Sequence, residues 1–345
     1  MTLHSEIFEQ PEQLASLLDK QKQTVHEIAK AIQSSNVQYV FLAARGTSDN
    51  AGRYANYLWG AQNGLPLALA TPSLFTYYQS PPRLKNALVV GVSQSGQSPD
   101  IVSVLEEGRR QGCLTLAITN EPDSPLAKTA DLVLDIHAGV EKAVAATKTY
   151  TAELMAIAMI SAGLRDSAES WNEISSVPKW AGQALALDQS IAQMSQRYRY
   201  MSQCVVLGRG FNYATAFEWA LKLKELSYVI AEPYSSADFQ HGPIAMVAGG
   251  FPVLAVAPMG KVHDTMKEML TRLRNQHKAE LVLISDDVDS LTLAQSPIQL
   301  PPQIPEWLTP MVSILPAQLF ACHLTTVKGY DTDKPRSITK VNETH

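Results

Sequence analysis

Cysteine is scarce in this chain, with three in 345 residues. The number is odd and the spacing offers no CxxC pair or other metal-ligand pattern. Cys113, Cys204 and Cys322 each sit in an apolar run ("GCLTLAI", "CVVLG", "LFACHL") and read as buried, inert thiols. The eight histidines show no HExxH or related spacing, so no metal site is expected. An excess of positive charge is lacking too. The net charge is −5 and Lys and Arg are scattered, which excludes the electrostatic footprint of a nucleic-acid partner. A small anionic ligand would have to be held by local donors instead. Long hydrophobic runs are missing: "MAIAMISAGL" is too short to cross a bilayer, and "MTLHSEIFEQPEQL" has neither the basic nor the apolar region of a signal peptide. The expectation is a cytoplasmic protein with no membrane partner.

What is present is ordinary for a soluble globular chain, 46% apolar and 18% charged, and its length suits about two domains. Short β-rich runs, "QYVFLAARG", "NALVVGVSQSG", "CLTLAITNEPDSP" and "ADLVLDI", alternate with helix-like segments such as residues 51–62 and 101–111. Alternation of this kind predicts a parallel sheet covered on both faces. The second half repeats it with "QCVVLGRG", "FPVLAVAPMG", "AELVLISDD" and "SPIQLP", in the same order and displaced by about 165 positions. The fold class expected is therefore α/β, as two tandem domains. A helical lead-in takes residues 1–34, the first domain 35–165, a helical linker 166–196, the second domain 197–330 and a polar tail 331–345.

In an open parallel sheet, ligands bind outside the carboxyl ends of the strands, where loops meet helix N-termini. "SQSGQS", residues 93–98, occupies such an end. Ser93, Ser95 and Ser98 offer hydroxyls, Gly96 lets the backbone approach, and the next helix presents N–H groups and a positive dipole end. These are the parts of a phosphate cradle that needs no lysine. Capping by Ser98 ahead of Pro99 would account for that serine alone. Thr47 and Ser48, in "RGTSDNAG" at the neighbouring strand end, add donors or merely cap a turn. In "FEWALKLKELSY" Glu218, Lys222 and Glu225 share one helix face, which on a generic helix is a solvated salt-bridge ladder. His241 in "ADFQHGPIAM" reads, taken alone, as a structural loop histidine.

Together "SQSGQS", "AVAATK", "GRGFNYATAFEWALKLKELSY", "AEPYSSADFQHGP" and "DTDKPRSITK" resemble the sugar-isomerase (SIS) family, and within it the isomerase half of glucosamine-6-phosphate synthase. The resemblance runs from about Glu6 to Lys340. It implies two SIS domains of flavodoxin-like topology, no cofactor, a sugar-phosphate ligand and a homodimer. It assigns phosphate binding to Ser93, Gln94, Ser95 and Ser98, with Thr47 and Ser48 beside them. It makes Glu225 the carboxylate that moves a proton between C1 and C2, and Lys222 the lysine on the same face. His241 becomes the ring-opening histidine, reaching the sugar of the neighbouring subunit, and Lys340 the tail lysine that meets the open-chain carbonyl. These types suit the chemistry: a partly buried carboxylate for enolisation, an imidazole near neutrality for ring opening, an amine for a carbonyl.

The chain also departs from that pattern. Arg45 stands where the synthase has Cys, Gln97 where it has Glu, and Ala146 where it has Ser. Thr2 takes the place of the cysteine that follows the initiator Met in the synthase's glutaminase domain, so the resemblance leaves no glutamine-hydrolysing part. The activity expected is deamination of glucosamine 6-phosphate to fructose 6-phosphate and ammonia. Fructosamine-6-phosphate deglycation, galactosamine-6-phosphate deamination and plain aldose–ketose isomerisation use the same groups. A non-catalytic sugar-phosphate sensor is the alternative of another class.

Overall fold

The structure, a computed structural model, describes residues 2–340. Its strands form two five-stranded sheets. The first contains β1 (Tyr39–Ala43), β2 (Leu67–Leu69), β3 (Ala87–Ser93), β4 (Leu114–Thr119) and β5 (Leu132–Asp135); the second contains β6 (Gln203–Gly208), β7 (Ile230–Ser235), β8 (Pro252–Val256), β9 (Glu280–Ser285) and β10 (Ser296–Gln299). Every pairing is parallel. The orders are β2-β1-β3-β4-β5 and, read from the matching edge, β7-β6-β8-β9-β10. Both are the flavodoxin-like order, with its switch point between the first and third strands.

Before the first sheet come α1 (Leu3–Phe8) and α2 (Gln10–Ser34); α3 (Gly46–Asn63), α4 (Ser73–Thr76), α5 (Pro99–Arg110) and α6 (Pro125–Thr129) join its strands. Next are α7 (Lys148–Arg165), α8 (Ala168–Ser175), α9 (Val177–Leu185) and α10 (Asp188–Ser195). The second sheet is joined by α11 (Tyr213–Ser227), α12 (Ser236–Phe239), α13 (His263–Asn275) and α14 (Val288–Leu291), and α15 (Thr309–Val327) follows it. The chain divides into two compact units. One holds the first sheet, with Glu9–Glu141, Lys148–Ser176, Thr339 and Lys340; the other holds the second, with residues 2–8, Lys142–Thr147 and Val177–Ile338.

In the first unit, β3 is buried at every position because it is central and covered on both faces. Val89 and Gly91 face α5 and α6, with Leu105 and Leu126 filling the layer. Leu42 turns the other way, toward α3. The α2 stripe of Leu14, Leu17, Val25, Ile28 and Ile32 is buried at helical spacing, and α2 packs along α7. In the second unit Val205, Leu207, Val253, Ala255, Leu281 and Leu283 meet the apolar side of α13.

On the opposite side of that sheet lie α11 and α15. The segment Glu306–Val327 is long and apolar enough to cross a membrane by length and composition, yet most of it is buried inside its unit. It is apolar all round because it is a core helix, not because it meets lipid. The alternation of runs also misses β2 and β7. Both are edge strands; β7 pairs only with β6, which is how it accommodates Pro233.

Candidate active site

At the carboxyl end of β3 the chain turns through the serine loop into α5. Gly96 makes the turn possible: its φ is +60°, and a Cβ there would stand 2.1 Å from Ser124 Oγ. Ser93 Oγ accepts the Gly96 N–H at 3.1 Å and Ser95 Oγ accepts the Gln97 N–H at 3.3 Å, so the loop is braced by its own hydroxyls. The Gln94 carbonyl accepts from Asn120 N–H at 3.2 Å and the Gly96 carbonyl from Leu126 N–H at 3.1 Å. Ser98 occupies the N-cap of α5, with Pro99 next, but its hydroxyl makes no capping bond. Capping therefore does not account for that hydroxyl, which stays half-buried at the mouth of the helix.

The neighbouring turn at the end of β1 runs into α3. Thr47 is half-buried on its first turn, and Ser48 points inward, donating to Glu153 of α7 at 2.8 Å. Arg45 at the N-cap of α3 donates through Nε to Asp100 Oδ2 at 2.7 Å. Asp100 is fully buried in the first turn of α5. A charge-assisted bond thus ties the starts of the two helices that border the strand ends. Nothing in the spacing of Arg45 and Asp100 announces this pair.

On α11 the ladder expected of Glu218, Lys222 and Glu225 is not a solvated one. Lys222 is 1% exposed and Glu218 is fully buried, because α11 is covered on this side as well as on its apolar one. Lys222 Nζ lies 3.3 Å from Glu218 Oε1 and donates to Glu225 Oε2 at 2.6 Å. Burial works against its charge, but Glu218 and then Glu225 outweigh burial and hold the ammonium well above the usual lysine range. Lys222 is therefore a fixed cation at neutral pH and no proton acceptor. Of the three groups, Glu225 alone reaches solvent, with its side chain 25% exposed.

His241 lies in the same unit, exposed on the turn after α12, where Gly242 follows with φ +134°. Its N–H bonds the Asp238 carbonyl at 3.0 Å, and its ring makes no hydrogen bond among the described residues. Lys340 belongs to the first-sheet unit. Its Nζ donates to Glu141 Oε2 at 2.6 Å, and Glu141 also accepts from the Thr149 hydroxyl at 2.8 Å. Glu141 is buried and escapes sequence reasoning, lying in the irregular stretch before α7. So Ser93, Gln94, Ser95 and Ser98 cluster in one loop, Lys222 and Glu225 on one helix face, while His241 and Lys340 stand in different units.

Comparison with known proteins places these features. The glutamine–fructose-6-phosphate aminotransferase (isomerizing) of Thermococcus kodakarensis is 30% identical over 97% of this chain and 56% of its own length. The Escherichia coli protein of that name is 33% identical over 89% of this chain and 52% of its own. The chain spans little more than half the length of these curated relatives. Among solved structures, the C-terminal domain of the Francisella tularensis glucosamine-fructose-6-phosphate aminotransferase superposes with a TM-score of 0.85 at 29% identity, covering 96% of this chain and 98% of that one. The SIS-domain family model matches residues 35–162 and 200–328. With a match around each sheet and relatives along nearly the whole chain, this protein belongs to the SIS-domain family.

Proposed function

We propose that this enzyme is a glucosamine-6-phosphate deaminase that isomerises its substrate before hydrolysis, releasing fructose 6-phosphate and ammonia. The observation that carries the isomerase chemistry is the α11 face. A buried, permanently charged Lys222 holds the partly exposed carboxylate of Glu225 in a fixed position, as a base that must serve two adjacent carbons requires.

In this reading the serine loop holds the phosphate through Ser93, Gln94, Ser95 and Ser98, with Thr47 beside them, and His241 opens the ring. Glu225 takes the proton from C2 and returns it to C1 while one proton passes from the amine nitrogen to O1, converting the 2-amino aldose to a C2 imine with a C1 hydroxymethyl group. Water then adds at C2 and ammonia leaves, with Lys340 near the open-chain carbonyl. The working unit is a homodimer in which the partner subunit's His241 serves each sugar. The exposed ring of His241, uncommitted to any hydrogen bond among the described residues, supports that arrangement.

None of the three cysteines is offered as a nucleophile for this chemistry, since all are buried. Burial pushes each thiol up: Cys113 above its ordinary value, Cys322 to about 12 and Cys204 higher still.

The test is ammonia and fructose 6-phosphate formation from glucosamine 6-phosphate, with Glu225→Gln alongside and with galactosamine 6-phosphate and fructosamine 6-phosphate as competitors. Turnover of the first substrate, reduced by about 100-fold or more in the variant, is the expected result. Faster turnover of a competitor would replace the substrate. No turnover of any of them, with binding retained, would replace the enzyme by a sensor.

A further inference from the structure

Away from the groups assigned to sugar chemistry, three side chains distant in sequence converge in the second-sheet unit. His4 projects from α1, Asp188 opens α10 and His323 lies near the end of α15. His4 Nε2 is 3.0 Å from Asp188 Oδ1, and His323 Nε2 is 2.7 Å from the same oxygen. All three donor atoms lie within 4.8 Å of one another. The rings also touch: His4 packs tilted against Phe8 at 5.0 Å between centroids and edge-on to His323 at 5.5 Å. We propose that His4, Asp188 and His323 form a binding site for a divalent transition-metal ion, zinc being the ion of choice, that fastens α1 to α10 and α15.

The donor set is two imidazole nitrogens and one carboxylate oxygen, which suits zinc with water in the fourth position. Ligands about 2.0–2.1 Å from zinc in a tetrahedron stand about 3.3 Å from one another. The histidine–carboxylate separations of 3.0 and 2.7 Å are shorter than that and the donors all lie within 4.8 Å, so both rings must draw back from the carboxylate oxygen to admit the ion between them. Charge argues the same way. Among the described residues Asp188 has no Lys or Arg partner, only the two imidazoles. Asp333 accepts the Leu3 N–H at 2.6 Å, so a second carboxylate anchors the same helix without a cation. A dication at Asp188 would displace no Lys or Arg among the described residues.

The site is also accessible. The side chains of His4, Asp188 and His323 are 41%, 29% and 19% exposed. Spacing rules for metal sites depend on ligands close in sequence, and these three come from residues 4, 188 and 323, which is why the sequence gives no sign of them. This inference is independent of the substrate assignment.

The experiment uses the full chain without a histidine tag, stripped with a chelator and titrated with zinc by calorimetry, with melting followed in parallel. The expected result is one zinc per chain and a rise in melting temperature. His4→Gln, His323→Gln and Asp188→Asn should each weaken binding by more than about tenfold and remove the thermal shift. Circular dichroism and phosphate binding confirm that each variant is folded; of the three, His4→Gln changes the most exposed position. Wild type that takes up no zinc, or variants that bind it as tightly as wild type, would overturn the proposal.

Discussion

Replacing Lys222 by Met tests the electrostatic reading of α11 without changing the volume of the buried side chain much. Lys222 is 1% exposed and Glu218 is fully buried, 3.3 Å away. Removing one member of a buried ion pair leaves the other charge without its counter-ion and costs about 3–5 kcal/mol. With a urea dependence of about 3 kcal/mol/M, the lower end of that range moves the unfolding midpoint down by about 1 M. Glu225→Gln should behave differently, since that side chain is 25% exposed and keeps a hydrogen-bond acceptor for the ammonium; its cost should be about 1 kcal/mol or less. Pairing Lys222→Met with Glu218→Gln removes both buried charges and should recover at least half of the loss. The pH dependence has a definite sign. A lysine whose folded value is raised contributes stability in full below the ordinary range near 10.4 and loses it only as pH climbs through the higher folded value. Lys222 itself stays charged from about pH 6 to 9, so any narrowing of the gap between wild type and Lys222→Met as pH falls through that window reports the orphaned Glu218 taking up a proton in the variant. Urea melts of the four proteins at several pH values decide the matter. If Lys222→Met is no less stable than Glu225→Gln, the buried triad is not what holds this helix, and the argument that Lys222 fixes the base fails with it.

Two other perturbations follow from the same structure. Gly96→Ala places a Cβ 2.1 Å from Ser124 Oγ at a φ of +60°; the left-handed backbone alone costs about 1–2 kcal/mol, and the variant should lose the rise in melting temperature that inorganic phosphate gives wild type. Gly60→Ala, with open space around the added carbon, is its control and should hold or raise stability by up to about 1 kcal/mol. As for the thiols, iodoacetamide near pH 8 should alkylate none of Cys113, Cys204 and Cys322 in the folded chain and all three in urea. Stoichiometric labelling of native protein, read by mass spectrometry, would show that at least one of them is neither buried nor inert.

Much of the fold is legible because central strands of parallel sheets are short, continuous apolar runs with sharp ends. "ALVVGVS" and "LVLIS" cannot easily be anything else between two helical segments. The edge strands β2 and β7 are not legible, for an equally physical reason. Leu67–Leu69 is three residues long, and Ile230–Ser235 carries a proline and an exposed glutamate that only an edge tolerates. At the site, the serine loop shows itself through a glycine and hydroxyls at a strand end. The burial of Glu218 and Lys222 does not, because an i, i+4 charge pair looks the same in water and in a core. Partners brought together by tertiary packing alone, Arg45 with Asp100 and Lys340 with Glu141, leave no local trace.

The way the chain is shared between its two units limits how it can be divided. Residues 2–8 side with the second sheet, Lys142–Thr147 does so again, and Thr339 and Lys340 return to the first. Glu6, fully buried, accepts the backbone N–H groups of Lys142 and Ala143 at 2.6 and 3.1 Å, so the borrowed pieces are fastened to each other. A gene cut once between the two sheets would thus strand part of each unit on the wrong fragment. Fragments co-expressed from such a cut should be recovered as a reassembled pair, while either half alone should expose the seats of its missing segments. Although the two sheets repeat one plan, no single cut between them gives each sheet all of its own unit.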